Sequence, residues 1–203
     1  MLFYNSPNPA PNPRRVRIFA AEKGIVLPMR DLSIPDREHK SDEFLALNPR
    51  GQTPALQLDD GTVIAESVAI CRYLEGMHPE PPLFGRDPRE QALVEMWSRR
   101  VEMILMPPVG AVWVHTHPFT ARVPGRNAEW GEANRPRVDE AMRFFDTALQ
   151  GREFLASDEY TIADILLLTT VDFAGFIGIA MSDDLTSLRA WHARVSARPS
   201  AAA

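Results

Sequence analysis

Apolar residues fall into three kinds of stretch along this chain: short runs bounded by proline and glycine, amphipathic stretches at helical spacing, and one segment apolar on nearly every face. The short runs come first. Leu2–Asn5 reads as a strand, stopped by Ser6-Pro7-Asn8-Pro9-Ala10-Pro11 because proline cannot donate to a ladder. A helix is predicted next, with Asn12 as N-cap, Pro13 at the first helical position, Val16, Phe19 and Ala20 on one face and Gly24 as the stop. Ile25–Leu32 carries a second strand, and a short helix is expected over Ser41–Leu47 after the charged stretch Asp36–Glu43. Asn48–Glu75 then reads as a tight turn ending at Pro54, a strand Ala55–Leu58, the turn Asp59-Asp60-Gly61, a strand Thr62–Ala65, and a helix opening at Glu66-Ser67.

Strand, helix and strand followed by a ββα unit is the order of a thioredoxin-like half, about residues 1–80. Met77–Asp87 has no periodicity and reads as a linker. Residues 87–203 form an all-helical second domain, so the fold class is α/β plus all-α. In Pro88–Val114, Leu93, Met96, Trp97, Val101, Ile104 and Leu105 recur at helical spacing, and Pro107-Pro108 should kink or interrupt the helix. After a loop, His115–Arg126, a helix is expected from about Ala128 to Leu149 and a last amphipathic one over Asp184–Ala197. Thr161-Ile162-Ala163-Asp164 matches a capping box, with Tyr160 and Ile165 as hydrophobic staple. The helix it starts, Ile162 to about Phe176, should be the buried centre of this domain.

Composition narrows the class. With 203 residues, 45% apolar and 24% charged, the chain can bury a real core, and its net charge of −5 argues against a nucleic-acid partner. Its one cysteine, Cys71, excludes an internal disulfide and sits in an apolar helical setting that suits a buried, inert thiol. No membrane-length apolar run and no signal-peptide build are present, so the expected location is the cytosol. Only the Ala-rich tail after Pro199 reads as disordered.

The candidate chemistry lies in Asn48–Glu75. Gly51 and Pro54 bracket an irregular segment, and a cis bond before Pro54 would leave the N–H and C=O of Thr53 free to pair with an extended ligand, as an added strand does. Ser67 is a good capping residue, and the first turn after it suits a carboxylate. In isolation Glu66-Ser67 is only a helix start. The pattern Asn-Pro-x-Gly-x-x-Pro, then a ββα unit with Glu-Ser opening its helix, resembles the glutathione-binding half of the glutathione S-transferase superfamily, and the Thr-x-x-Asp box extends the likeness to the second domain. The resemblance implies glutathione as co-substrate, bound at its cysteinyl backbone by Thr53 beside a cis Pro54 and at its γ-glutamyl end by Glu66 and Ser67. His39, Lys40 and Gln52, with Arg50 as a lesser helper, match positions that take the glycyl carboxylate.

The superfamily activates the thiol with a Tyr, Ser or Cys soon after the first strand. Here that position falls at Ala10 or Pro11, neither of which has a usable donor, and a Cys-based thiol-exchange branch is excluded. Ser6 at the strand end and Asn12 at the helix start are substitutes, with the helix dipole adding to either. SPxxxPNPRRVRIFAAEKGI, with Glu38-His39-Lys40 before Phe44-Leu45-Ala46, is similar to a branch found in yeast and proteobacteria, in which a His and a hydroxyl of the second domain hold a water against the sulfur. That likeness points to His115 or His117, with Thr120. The bland readings are a solvated face for His39-Lys40, inert loop histidines, a structural cap for Asp164, core for Tyr4, and cleft or core for Trp97 and Trp113. The expectation is a homodimeric transferase joining glutathione to small apolar electrophiles or reducing hydroperoxides, in the service of detoxification. Competing readings are a non-catalytic glutathione carrier or assembly protein of the same fold, and an isomerase or dehalogenase using glutathione as a returning cofactor. No metal site is expected.

Overall fold

Prolines at positions 7, 9, 11 and 13 decide how the chain starts. In a computed structural model describing residues 1–203, β1 (Leu2–Asn5) ends where they begin, and α1 (Pro11–Glu22) opens with Pro11 as its first residue. The N-cap is Ala10, with no side-chain bond, rather than the expected Asn12. Proline's preset φ and missing N–H suit the first helical position, which moves the start ahead of Asn12. β2 (Met29–Asp31) is shorter than the expected Ile25–Leu32. Pro28 cannot donate to the ladder, and only its carbonyl takes part, accepting from the Phe3 N–H at 2.9 Å. The Ser41 hydroxyl caps α2 (Asp42–Leu47) by accepting from the Phe44 N–H at 3.3 Å. β3 (Ala55–Gln57), β4 (Val63–Ala65) and α3 (Ser67–Met77) follow.

The sheet order is β2-β1-β3-β4, with β1 parallel to β2, and β3 antiparallel to both β1 and β4. Phe3 and Leu56 of the sheet, Phe19 of α1, and Ile70 and Leu74 of α3 are fully buried. Each such side chain contributes about 1.5–3 kcal/mol. Cys71 lies in the same core, and burial pushes its thiol well above the ordinary range, as an inert thiol requires. Tyr4 is core too, tilted against Phe44 with its hydroxyl donating to Gln57.

The chain forms two compact units, Met1–Leu83 together with Pro199–Ala203, and Phe84–Arg198. The tail after Pro199, expected to be disordered, is an ordered turn of the first unit. Ser200 and Ala201 are buried, the Ala201 carbonyl accepts from Arg14 Nη2 at 2.9 Å, and the Ser200 hydroxyl bonds the Glu22 carboxylate.

In the second unit α4 (Pro88–Arg100) runs through one wide π turn, Val101–Leu105, into α5 (Met106–Thr116). The irregularity therefore precedes Pro107-Pro108. Those residues have no N–H to return to the Met103 and Ile104 carbonyls, and their rings crowd them, so the turn before them widens. The helix expected over 128–149 is two, α6 (Ala128–Ala133) and α7 (Arg135–Ala148), because Pro136 cannot bond back to Glu132. α8 (Ile162–Phe176) and α9 (Thr186–Ser196) complete the unit, with α8 almost wholly buried. Trp97 is core, packed on Phe145 and covered by Arg100. Asp164 is the structural cap: its carboxylate accepts from the Leu155 N–H at 2.9 Å, the Thr161 N–H at 3.1 Å and Trp191 Nε1 at 2.9 Å. Complete burial nevertheless lifts its carboxyl to about 6.

Candidate functional site

Gly51 organises the first unit's site. Its φ is +54°, and a Cβ there would lie 2.7 Å from the His39 carbonyl oxygen and 2.9 Å from Lys40 Nζ. Only glycine lets the loop lie this close to the 38–40 turn. The loop is laced from within: the Gly51 N–H donates to Asn48 O at 2.7 Å, Asn48 Nδ2 to Gln52 O at 2.8 Å, and Lys40 Nζ to Arg50 O at 2.9 Å. Arg50 Nε donates to Gln52 Oε1 at 3.0 Å. His39, Lys40 and Gln52 are thereby gathered beside Thr53. The His39 Nδ1 is buried without a hydrogen-bond partner, and burial, then Lys40 and Arg37, lower the ring's pKa. A buried, unpartnered ring nitrogen next to an ammonium invites a polar ligand group.

The Thr53–Pro54 peptide is cis, and neither the N–H nor the C=O of Thr53 is taken by another backbone group. The register of β3 and β4 pairs Ala55 with Ala65, so Thr53 and Ser67 emerge at the same end of the hairpin. There Glu66 holds φ +69° and ψ 120°, a conformation costing an L-residue about 1–3 kcal/mol. Glu66, not Ser67, is the N-cap, and it makes no side-chain cap bond. Ser67 is the first helical residue, and its amide opens the positive end of α3.

Around Ser6 the hydroxyls of Ser6 and Thr53 lie 2.7 Å apart, and Ser6 is almost fully buried. Asn12 sits in the first turn of α1, its Oδ1 accepting from Arg15 Nη1 at 2.6 Å. Since Pro11 and Pro13 have no N–H, the Asn12 amide is the one donor among the first three residues of α1. The unit thus offers a strand-like main-chain edge, two helix N-termini and a lysine, which suits an extended peptide with carboxylates at its ends.

The second unit carries His115, His117 and Thr120 around the end of α5. The His115 ring accepts from the Asn127 N–H at 3.1 Å and the His117 ring from the Phe119 N–H at 3.2 Å, both at Nδ1. Each neutral ring therefore holds its proton on Nε2. The Thr120 hydroxyl is buried and turned to main-chain carbonyls, 2.7 Å from His117 O and 3.0 Å from Trp113 O. Arg126 Nη2 donates to the carbonyls of His115 and His117, 3.2 Å from each. His117 packs between Trp113 and Phe176, with centroids at 4.5 and 5.5 Å, and Trp113 also meets Phe119 and Phe173. Phe119 and Phe176 remain about half exposed. Of these rings the sequence marks only Trp113 and His117. Phe173 and Phe176, three apart at the end of α8, were the available signal, hidden because that helix is apolar all round.

A thioredoxin-like sheet with a cis-proline edge, followed by a helical unit, is the architecture of glutathione S-transferase structures. The glutathione S-transferase N-terminal domain model matches residues 10–77 and the C-terminal domain model residues 104–199. The chain belongs to the glutathione S-transferase family, and glutathione is its co-substrate. It is 36% identical to glutathione S-transferase 2 of Saccharomyces cerevisiae, over 98% of this chain and 87% of that one. The crystal structure of Gtt2 from the same yeast superposes with a TM-score of 0.92 at 36% identity, covering 98% of each chain. A glutathione S-transferase domain-containing protein of Marinobacter aquaeolei superposes with 0.93 at 37% identity, covering 98% of this chain and 99% of its own. The expected yeast and proteobacterial likeness is thus found.

Proposed function

We propose that this transferase joins glutathione to small apolar electrophiles, or reduces hydroperoxides with it, as a cytoplasmic detoxifying homodimer. The observation that carries the reading is the free main-chain pair of Thr53 at the same hairpin end as the amide of Ser67. In this scheme Thr53 pairs with the cysteinyl backbone, Pro54 shapes the edge, Glu66 and Ser67 hold the γ-glutamyl end, and His39, Lys40 and Gln52 hold the glycyl carboxylate. The thiolate lies by Ser6 and the Asn12 amide. With an aryl halide, sulfur forms a bond to the ring carbon and the halide leaves with the electron pair of the broken bond, the thiol proton having gone to water. With a hydroperoxide, the thiolate takes the terminal oxygen, releasing the alcohol, and a second glutathione converts the sulfenic acid to the disulfide and water. Rings at Trp113, Phe119 and Phe176 suit an apolar electrophile.

The Nε2–H of His115 or His117, with Thr120, is the second candidate for thiol activation, favoured by the fixed tautomers. Met103, Ile104, Trp130 and Phe144, exposed around a cavity of about 580 Å³, support a face for the second copy; sedimentation at twice 22.8 kDa checks it. Thiolate absorbance of bound glutathione, titrated in the wild type, Ser6→Ala, His115→Ala and His117→Ala, tests the enzyme reading. A bound thiol about two units below the free value of ~8.5, with one substitution abolishing the shift, supports it. Binding with an unshifted thiol favours the carrier reading instead.

A further inference from the structure

The loop from Ser6 to Ala10 cannot hold itself. Pro7 and Pro9 have no N–H, and the loop's own main-chain bond, Ala10 N–H to Pro7 O, is long at 3.3 Å. It is held from outside by Arg17, which reaches back from α1. Arg17 Nη1 donates to Asn5 Oδ1 at 2.5 Å and to the Ser6 carbonyl at 3.2 Å, and Nη2 donates to Asn8 Oδ1. Asn5 in turn donates through Nδ2 to Asp31 Oδ1 at 2.6 Å. Ser6, held at its carbonyl by Arg17, meets Thr53 through its hydroxyl. One half-buried guanidinium therefore sets two points of the loop, Ser6 and Asn8, and the strand end at Asn5. The fork matters, since a lysine has one centre and cannot span them. Burial and the charge of Arg14 weigh against the cation, while Asp31 favours it.

We infer that Arg17 is a positioning residue for the glutathione thiol: by holding Asn5, Ser6 and Asn8 it sets Ser6 and the opening of α1 where the thiolate is stabilised. This rests on the reading of that face as the thiol site. A purely structural role would lower stability alone, so the test follows the bound thiol. In Arg17→Gln the bound thiol should titrate about one unit higher than in the wild type, a tenfold drop in its ionisation constant. Turnover with an activated aryl halide at pH 6.5 should fall by about fivefold, while S-methylglutathione, which has no thiol to ionise, should bind within about threefold of wild type. Arg17→Lys should fall between the two. Asn8→Ala removes one leg without touching α1 and should give a smaller shift in the same direction, which keeps the test available if Arg17→Gln does not fold. A folded Arg17→Gln, or an Asn8→Ala, that binds S-methylglutathione and titrates like the wild type overturns the inference. A wild type whose bound thiol is unshifted overturns the thiol-site reading itself, so the two failures are distinct.

Discussion

The two units are built for chemistry out of different materials. In the first the features that set the site are largely main chain, with the side chains of His39, Lys40 and Gln52 gathered by it: Gly51 at φ +54°, the free amide and carbonyl of Thr53, and Glu66 at φ +69°. In the second they are side chains, a group of rings and two imidazoles set on helix ends. Main-chain sites need residues with unusual backbone freedom, and those stand out in a sequence. A ring wall needs only apolar residues at helical spacing, which look the same whether they face a core or a ligand.

Three experiments break or sharpen this contrast. The largest effect is expected at Asp164, which anchors the second unit. Asp164→Ala leaves three buried N–H groups without an acceptor, at about 1–3 kcal/mol each, so unfolding free energy should drop by about 4 kcal/mol in a denaturant melt. The charge has its own signature. The carboxyl titrates at about 6 when folded and near ~3.9 when unfolded, so its contribution is greatest below pH 4 and is lost as pH rises to 6. Asp164→Asn should lack that slope when stability is compared across this window.

Gly51→Ala comes next. It combines a left-handed φ with a Cβ 2.7 Å from a carbonyl oxygen, so about 2 kcal/mol of stability should be lost. Glutathione affinity by calorimetry should fall by about tenfold, since His39, Lys40 and Gln52 are placed through this contact. Unchanged affinity would show that the loop does not set the carboxylate site. The smallest effect is at Glu66. Glu66→Gly relieves the strained φ and should leave stability within about 1 kcal/mol of wild type in either direction, yet weaken glutathione by several-fold. Lost stability with unchanged binding would place the strain in the fold rather than in the site.

Residues whose effect is local were legible. The irregular turn at Gly51, the cis peptide before Pro54 and the Thr161–Asp164 box are written in neighbouring residues, and the structure shows the positive φ, the cis bond and the cap; the approach of Gly51 to His39 and Lys40 is not written there. What the reading missed depends on partners far along the chain. Nothing near Arg17 in the sequence says that it reaches Asn8, and nothing in Ala-rich 200–203 says that Arg14 and Glu22 await it. Other errors came from weighing a pattern above a proline. Asn12 reads as a cap only while Pro11 before it is ignored, and 128–149 as one helix only while Pro136 is.

The π turn at Val101–Leu105 has a consequence for how this chain tolerates insertions and deletions. A wide turn is what remains when a helix absorbs one residue more than its repeat needs. Removing one residue there would restore an ordinary spiral and leave Trp113 and His117 on the same side of α5, whereas removing one from the regular helix on either side would turn everything after it by about 100°. The alignment of relatives should therefore place a one-residue gap in this segment: a chain lacking the extra residue shows the same face of the helix, and a gap placed elsewhere in α4 or α5 would misassign every later position.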